Sequence, residues 1–363
     1  MNIKAIKIKT PKGIRMIGPG QPVFIVAEMS CNHHQSYWQA RKIIDKAAEA
    51  GVDAIKLQTF RPEGITIDCD NKYFQIKVNK AWKGQTLYEL YKKVYTPWEW
   101  QPKLKKYAES KGLVLFSTPG EEAAVNFLEK MGVNLYKVGS FEVVDLALLK
   151  KIGQTKKPVI ISRGMASAEE IESAIKTLKK AGASQVAVLH CVSSYPASPA
   201  EMNLATIPDI AKRFGVISGL SDHTLGIAVV LMSVGLGACI IEKHLTLRRA
   251  EGGPDAAFSM EPKEMKELVD AVRQGEKAIG TITYQTGKRE KKNKIFRRSL
   301  FVVKDLEKGK KFTAENVRSV RPGYGLEPKY LEKVIGKTVN QNIKRGTPLA
   351  WNLISKRIKG SKL

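Results

Sequence analysis

Polar side chains follow each of eight apolar, strand-like segments in the 363-residue chain, at the point where each segment ends. Two lysines, Lys56 and Lys137, lie within such segments. An ammonium group that is buried without a partner is costly, so each lysine needs an anion beside it. A bound phosphate or carboxylate would supply that anion, and serine hydroxyls could donate hydrogen bonds to a phosphate from several directions. The serines at these segment ends are Ser140, Ser162, Ser193 and Ser221.

Two histidines could form a metal site. His223 and His244 end the last two segments, and imidazoles on two neighbouring strands could hold one divalent cation and leave positions open for a substrate. Either Glu242 or Asp222 could orient the two rings. Each histidine taken alone could equally be a structural residue, and the matched position at two adjacent strand ends is what favours the metal hypothesis.

The elements that would position these residues alternate in type along the chain. Segments with apolar residues at helical spacing and a terminal glycine, such as residues 168–182, separate most of the strand-like segments. Eight such repeats predict an α/β fold, a parallel (β/α)8 or TIM barrel, whose carboxyl strand ends form the active-site face. A doubly wound open sheet is the alternative, although no glycine-rich dinucleotide motif follows the first strand. The predicted strands span residues 23–28, 54–59, 113–119, 134–140, 158–164, 186–194, 216–223 and 238–246.

The alternating pattern breaks after residue 280. The charged stretch GKREKKNKIFRRS is typical of a linker, and short strand patterns separated by turns follow it. We therefore predict a barrel at residues 1–282, a linker at residues 283–296 and a small β-rich domain at residues 297–358.

One connection within the predicted barrel is unusually long. Residues 60–96 separate the second strand from its helix, and loops of this length are usually functional or disordered. The aromatic residues in this connection favour an ordered lid or substrate wall, and a simple packing extension explains them equally well. These residues are Trp82, Tyr88, Tyr91 and Tyr95.

The chain is strongly basic, with 61 Lys and Arg against 35 Asp and Glu and a net charge of +26. The basic residues are dispersed and accompany no nucleic-acid motif, so we expect a lysine-rich surface and no nucleic-acid partner. The most apolar run, residues 226–241, is shorter than the about 20 residues that span a membrane, so no membrane association is expected. The four cysteines form no C-x-x-C pair and no apolar signal core opens the chain, which indicates reduced thiols in the cytoplasm.

Several separated motifs resemble the sialic acid synthase family. They occur in order between residues 20 and 356 and are AEMSCNH, AIKLQTF, FSTP, YKVGSFE, LHCVSSYP, GLSDHTLG, IEKHLT with GGPD, and RPGYG. The resemblance implies a (β/α)8 barrel followed by a small antifreeze-like (SAF) β domain, the division predicted above. It also implies condensation of phosphoenolpyruvate (PEP) with an amino sugar to give a nonulosonic acid.

Two stretches are most similar to the pseudaminic acid synthase branch of that family, residues 86–100 and residues 247–262. The acceptor implied by this branch is 2,4-diacetamido-2,4,6-trideoxy-L-altrose. N-acetylneuraminate and legionaminic acid synthases, which use other N-acetylated sugars, are the alternatives within the family. An alternative from another class is a polyanion-binding protein built on an inactive barrel. One departure from the family pattern is Arg163, where a small Thr is common.

The resemblance also implies a role for individual residues. His223 and His244 resemble ligands of a divalent metal ion such as Mn²⁺, Mg²⁺ or Co²⁺, and Glu142 resembles a group that activates water. Arg321 resembles an arginine that reaches from the small domain into the barrel of the partner subunit, which implies a domain-swapped homodimer. The residues that resemble PEP contacts are Lys56, Lys137, Ser140, Ser162, Ser193 and Ser221. The residues that resemble catalytic groups or sugar contacts are Glu28, Lys137, Glu142, Tyr195, Asp255 and Arg321.

Overall fold

A computed structural model describes residues 3–77 and 84–355 of the chain, which divides into two compact units between Gly280 and Thr281. In the first unit, eight consecutive parallel strands, β3 to β10, close into a barrel in which β10 pairs with β3. The closure confirms the predicted (β/α)8 barrel and excludes the open sheet. The strands of this unit are β1 (Ile6–Thr10), β2 (Gly13–Ile17), β3 (Phe24–Glu28), β4 (Ala54–Thr59), β5 (Val114–Pro119), β6 (Tyr136–Val138), β7 (Val159–Ser162), β8 (Val186–Cys191), β9 (Ile217–Asp222) and β10 (Ile240–His244).

Helices follow the barrel strands, and local sequence sets where they begin and end. In the helix at Ala168–Ala181, the Ser167 hydroxyl accepts a hydrogen bond from Glu170 N, and Gly182 closes the last turn at a φ of 117°. The helices of this unit are α1 (Tyr37–Ala50), α2 (Pro62–Ile65), α3 (Leu87–Val94), α4 (Gln101–Ser110), α5 (Glu122–Met131), α6 (Leu146–Gly153), α7 (Ala168–Ala181), α8 (Thr206–Phe214), α9 (Ala228–Gly235) and α10 (Pro262–Ile279).

The barrel interior is apolar towards the amino ends of the strands. Successive strand residues point to opposite faces, so Phe24 and Val26 join an inner cluster while Ile25 joins the layer between strands and helices. The antiparallel hairpin of β1 and β2 adds Ile6, Ile8 and Ile17 to the inner cluster. This hairpin, which the sequence pattern does not predict, closes the end of the barrel opposite the polar strand ends.

The described part of the long connection at residues 60–96 packs on the barrel. Tyr91 lies edge-on to Phe60, with ring centroids 5.6 Å apart, and Thr96 Oγ1 shares a 3.1 Å hydrogen bond with His33 Nε2. His33, in the turn after β3, is fully buried. Trp82 lies outside the described residues.

The second unit contains two paired strands and its own apolar core. β11 (Ser299–Val302) and β12 (Val317–Val320) are antiparallel, and the short helices are α11 (Lys288–Lys292) and α12 (Leu331–Val334). Among the short strand patterns that follow the linker, residues 337–343 form isolated bridges instead of a continuous ladder. The boundaries at residues 282, 296 and 358 stay a prediction, and α11 lies within the proposed linker. The core residues are Leu300, Val302, Leu306, Phe312, Val317, Val334, Val339, Ile343, Leu349 and Leu353.

Across residues 3–77 and 84–355, no helix combines the length and the apolar character needed to cross a lipid bilayer. All four cysteines are free thiols, and three of them, Cys31, Cys191 and Cys239, are buried.

Candidate active site

The same alternation that builds the apolar interior directs polar side chains into the mouth of the barrel. On β10, Ile240 belongs to the inner cluster, so Glu242 and His244, two and four residues later, face the same way. Lys243 points to the other face, where its ammonium donates a 2.6 Å hydrogen bond to Asp222 of β9. The end of β10 therefore carries buried charged side chains on both faces, and those on the inner face line the mouth of the barrel.

Two lysines and two glutamates form a buried charged cluster at this mouth. Lys56 on β4 contacts the carboxylate of Glu28 on β3, and its Nζ lies 3.7 Å from Glu242 Oε1. Lys137 Nζ on β6 lies 3.9 Å from the same oxygen. The predicted need for an anion beside Lys56 is therefore met by protein carboxylates. From the sequence, Glu242 was expected only to orient a histidine. Because Glu242 precedes His244 by two residues on one strand, both side chains face the mouth, and this spacing could have predicted that Glu242 joins the cluster.

Burial and neighbouring charges shift the pKa values of the cluster in opposite directions. Burial raises the pKa of Glu28 to about 7, against the opposing effect of Lys56. Burial would also raise the pKa of Glu242, but Lys137 and Lys56 outweigh it and lower that pKa. Burial lowers the pKa of Lys137, whereas Glu242 and Glu28 outweigh burial at Lys56 and raise its pKa. The four groups thus interact electrostatically although they come from four different strands.

Serine hydroxyls surround the charged cluster. Lys137 Nζ donates a 2.6 Å hydrogen bond to Ser162 Oγ on β7, and Ser221 Oγ on β9 donates a 3.0 Å bond to Glu242. Ser140 and Ser193 converge at Gly164, because a Cβ added there would lie 2.3 Å from Ser140 Cβ and 2.8 Å from Ser193 Oγ. The absence of a side chain at this glycine keeps the space between the two serines open.

Glu142 lies in the loop after β6, and its carboxylate lies against Gly139. A Cβ added at Gly139 would be 2.3 Å from Glu142 Oε2. Burial raises the pKa of Glu142, while the positive charges of Lys137 and Lys56 oppose that rise. The structure therefore places this carboxyl group within electrostatic reach of both lysines.

His223 and His244 lie side by side, with ring centroids 5.4 Å apart. His223 Nδ1 donates a 2.9 Å hydrogen bond to the Val192 carbonyl oxygen, whereas His244 Nδ1 is buried and has no hydrogen-bond partner in the described structure. The nearest carboxylate oxygen to that atom is Asp255 Oδ2, at 3.6 Å, and Ser30 Oγ donates a hydrogen bond to the same oxygen.

The expectation that Asp222 or Glu242 orients the histidines is wrong. Asp222 accepts hydrogen bonds from Lys243 and from the backbone and hydroxyl of Thr224, and Glu242 accepts one from Ser221. Asp222 faces outward because it is one residue before the inward His223, and a shift of one residue reverses the face of a strand. Asp255, in the loop that follows β10, takes the place beside His244.

The two imidazoles and Asp255 fit an open metal site with few protein ligands. Burial and the neighbouring His223 lower the pKa of His244 well below its usual value, which leaves a neutral ring with a free lone pair. The unpartnered, buried Nδ1 is a group that a cation would satisfy. Among residues 3–77 and 84–355, no group of three or more His, Cys, Asp and Glu side chains has the spacing of a complete metal site, so substrate or water would supply the remaining ligands.

Aromatic side chains cover the histidines. The ring of Tyr195 lies 4.5 Å from that of His223, and Phe258 lies 4.9 Å from His244, 5.7 Å from His223 and 5.1 Å from Tyr195 by ring centroids. Tyr195 was an expected site residue and Phe258 was not. The sequence gives no spacing signal for Phe258, because it lies in a short turn after the barrel's last strand.

One arginine of the barrel unit, Arg163, lies on the other face of the strands from this mouth cluster. Arg163 Nε donates a 3.0 Å hydrogen bond to His190 Nδ1, and the imidazole of His190 also contacts the Met202 carbonyl oxygen. The side chain of Arg163 therefore lies on the outer face of the barrel strands. Arg321 is exposed and follows β12 in the second unit.

Family models match most of the chain. The model of the NeuB family matches residues 43–284, and the model of the SAF domain matches residues 297–355. The first match covers the barrel strands from β4 onwards, and the second covers β11 and β12.

Curated relatives and solved structures are similar over nearly the whole length. The chain is 40% identical over 327 residues to the pseudaminic acid synthase of Campylobacter jejuni subsp. jejuni serotype O:2, covering 90% of this chain and 95% of that one. It is 35% identical over 347 residues to the N,N'-diacetyllegionaminic acid synthase of Legionella pneumophila subsp. pneumophila, with coverages of 94% and 97%. The structure of N-acetylneuraminic acid (sialic acid) synthetase from Leptospira borgpetersenii in complex with citrate superposes with a TM-score of 0.69 at 32% identity, covering 81% of this chain and 96% of that one.

Proposed function

The chain belongs to the NeuB family, and on that premise we propose that it is a pseudaminic acid synthase. In this reaction PEP, 2,4-diacetamido-2,4,6-trideoxy-L-altrose and water give pseudaminic acid and phosphate. The resemblance to the sialic acid synthase family and its SAF domain is confirmed by the two family models. The pseudaminic acid branch is supported by the 40% identity to the Campylobacter jejuni enzyme.

The observation that carries this proposal is the cluster of Glu28, Lys56, Lys137 and Glu242 beside two histidines at one barrel mouth. PEP carries a carboxylate and a phosphate group on the same carbon, C2. Two ammonium groups held by different strands can each meet one of these anions, and the serines around them can donate further hydrogen bonds. We assign PEP binding to Lys56, Lys137, Ser140, Ser162, Ser193 and Ser221.

The carboxyl groups are assigned to proton transfer and sugar binding. Carbon C3 of PEP forms a bond to the aldehyde carbon of the open-chain sugar, and the aldehyde oxygen gains a proton to become a hydroxyl group. Water adds at C2 of PEP and loses a proton, and phosphate leaves as its C–O bond breaks. Glu142 is our candidate for accepting the proton from water, since a base with a raised pKa works near neutral pH. Glu28, Tyr195 and Asp255 are assigned to hold the sugar.

His223 and His244 are the residues that would hold a divalent cation, for which Mn²⁺, Mg²⁺ and Co²⁺ are candidates. When bound, such an ion would supply Lewis-acid polarisation of the sugar's aldehyde oxygen. The chain's own part is to hold the two imidazoles side by side at the mouth, with His223 fixed by the Val192 hydrogen bond, and to keep His244 neutral by burial.

We also propose a domain-swapped homodimer in which Arg321 reaches the barrel of the partner subunit. Support comes from the exposure of Arg321 and from large apolar side chains exposed in loops at the carboxyl strand ends, Phe141, Met165 and Leu225. Free, buried cysteines support a reducing compartment, so the cytoplasm is the location we propose.

Phosphate release from PEP tests the proposal. The purified chain should release phosphate only when PEP, the altrose-derived sugar and a divalent cation are all present, and mass spectrometry should find the expected nonulosonic acid. EDTA should abolish the activity, and added Mn²⁺ or Mg²⁺ should restore it. His244→Ala should remain inactive after the metal is restored, whereas near-normal turnover would remove this residue from the metal site.

Two kinds of result would contradict this proposal: turnover with a different acceptor sugar, or a function of another class. The 35% identity to the Legionella pneumophila enzyme makes the legionaminic acid precursor the second candidate acceptor. Turnover with N-acetylmannosamine alone would move the assignment to N-acetylneuraminate synthesis. Steeply salt-dependent nucleic-acid binding without any PEP turnover would favour a polyanion-binding protein.

A further inference from the structure

The orientation of His244 has no polar restraint of its own. Its Nδ1 is buried without a hydrogen-bond partner in the described part of the chain, and Asp255 Oδ2 lies 3.6 Å away, beyond hydrogen-bond distance. His223 differs, because its Nδ1 is fixed by the Val192 carbonyl oxygen. A metal ligand normally has its ring direction set by a hydrogen bond from the nitrogen that does not bind the metal, and within the described residues neither ring nitrogen of His244 makes a hydrogen bond. Something else must therefore hold the His244 ring.

Phe258 packs against both imidazoles at once. Its ring lies 4.9 Å from His244 at an interplanar angle of 68°, and 5.7 Å from His223 at 89°. Both are edge-to-face arrangements within the favourable range of centroid distances for aromatic pairs. Tyr195, tilted by 51° to both His223 and Phe258, closes the group on the other side.

The backbone that carries Phe258 is fixed to the strand that carries His244. Met260 N donates a 2.8 Å hydrogen bond to the His244 carbonyl oxygen, and Thr246 N donates a 2.9 Å bond to the Met260 carbonyl oxygen. Asn32 Nδ2 donates to both Ser259 Oγ and the Leu245 carbonyl oxygen. The Phe258 ring therefore has a defined position relative to the end of β10.

We propose that Phe258 is a positioning residue that sets the orientation of the His223 and His244 imidazoles for cation binding. This inference rests on the proposed metal site. Phe258 fills the space into which the unrestrained His244 ring would otherwise turn, and it contacts neither substrate nor metal in this role. Without the aromatic ring, the two imidazoles should sample more orientations, and the chain should bind the cation more weakly.

Mn²⁺ binding to the full, metal-free chain tests this inference without reference to turnover. The electron paramagnetic resonance signal of free Mn²⁺ would be followed during titration of wild type, Phe258→Leu and Phe24→Leu. Phe24 is a matched control, because it is equally buried but lies at the amino end of β3, among the inner apolar residues. Phe258→Leu should weaken Mn²⁺ binding by about tenfold or more, the scale of other losses around metal ligands. Phe24→Leu should bind Mn²⁺ as wild type does, although its unfolding temperature falls.

Wild-type affinity in Phe258→Leu, or an equal loss of affinity in Phe24→Leu, would overturn the inference and leave the metal assignment standing. Unchanged Mn²⁺ binding by a His223→Ala, His244→Ala double variant would instead overturn the metal assignment itself. If Phe258→Leu does not fold, Phe258→Met, which also lacks the ring but fills the space flexibly, carries the same expectation.

Discussion

Each of the four charged side chains in the mouth cluster lies near an opposite charge from another strand. Glu28 pairs with Lys56, Glu242 lies near both Lys56 and Lys137, and all four are buried. A buried ion pair gains little stability over apolar packing, and removing one partner is strongly destabilising. Such a cluster is therefore costly to maintain for folding alone, which is consistent with its proposed use in binding an anionic substrate.

Lys137→Met tests the PEP contact at the residue scale. A charge-assisted hydrogen bond contributes about 1.5–3 kcal/mol, so the KM for PEP should rise about 10- to 100-fold while the KM for the sugar changes little. Steady-state phosphate release with each substrate varied in turn measures both values. Lys130→Met on the exposed surface of α5 is the control and should match wild type. An equal rise in both KM values would argue that Lys137 maintains the whole mouth and has no specific contact with PEP.

The sequence predicted some of these residues better than others. Lys56, Lys137, His223 and His244 were identifiable because charges stand out in apolar strands. Glu242 could have been added from its two-residue spacing to His244. Asp255 came only from the family resemblance, and Phe258 was missed, because loop residues gain their neighbours from the fold and carry no periodic pattern.

A buried ion pair between Lys243 and Asp222 joins the ends of β10 and β9 on the outer face of the barrel strands. Lys243 donates to Asp222 and to the Thr224 carbonyl oxygen, and Thr224 donates back to Asp222. These residues flank His223 and His244 in the sequence. The buried pair therefore fixes the two strand ends that present the imidazoles.

Asp222→Ala should destabilise the chain by about 3–5 kcal/mol, because it leaves the Lys243 ammonium buried without its partner. Urea unfolding followed by circular dichroism would show this as a lower midpoint. A double variant with Asp222→Leu and Lys243→Met should recover much of the loss, since no unpaired charge remains. Asp209→Ala, which breaks the exposed pair with Arg213 on α8, is the control and should cost about 1 kcal/mol or less. Equal losses at the two sites would contradict this explanation.

The barrel strands were predictable because eight strand–helix repeats leave a pattern over most of the chain. The β1–β2 hairpin was not, although Gly13 at a φ of 109° follows its two-residue turn. Its three buried isoleucines lie in a stretch that also contains several basic residues, and this mixed pattern does not predict a hairpin. Their role is visible only in the structure, where they cover the open end of the barrel.

At the scale of the whole molecule, two separately packed units are matched by two family models. The barrel unit carries the charged cluster and the imidazoles, and the second unit carries Arg321. If Arg321 completes the site of a partner subunit, then neither residue set is sufficient within one chain. This arrangement can be tested by complementation.

Arg321→Ala and His244→Ala should each be nearly inactive when assayed alone. After the two variants are unfolded and refolded together, half of the dimers should be mixed, and one of the two sites in each mixed dimer should be intact. Phosphate release should then recover to about a quarter of the wild-type rate, by the statistics of a two-fold dimer. The separately refolded variants are the control, and recovery no greater than theirs would contradict the exchange of Arg321 between subunits.

The preference for one acceptor sugar tests the assignment as a pseudaminic acid synthase. The kcat/KM of phosphate release would be measured in separate reactions with 2,4-diacetamido-2,4,6-trideoxy-L-altrose, the legionaminic acid precursor and N-acetylmannosamine, each with saturating PEP and Mn²⁺. We predict that the altrose-derived sugar gives the highest value, by about 100-fold or more over N-acetylmannosamine, as expected when a site's polar groups are matched to one substrate. A higher kcat/KM with either of the other two sugars would contradict the assignment.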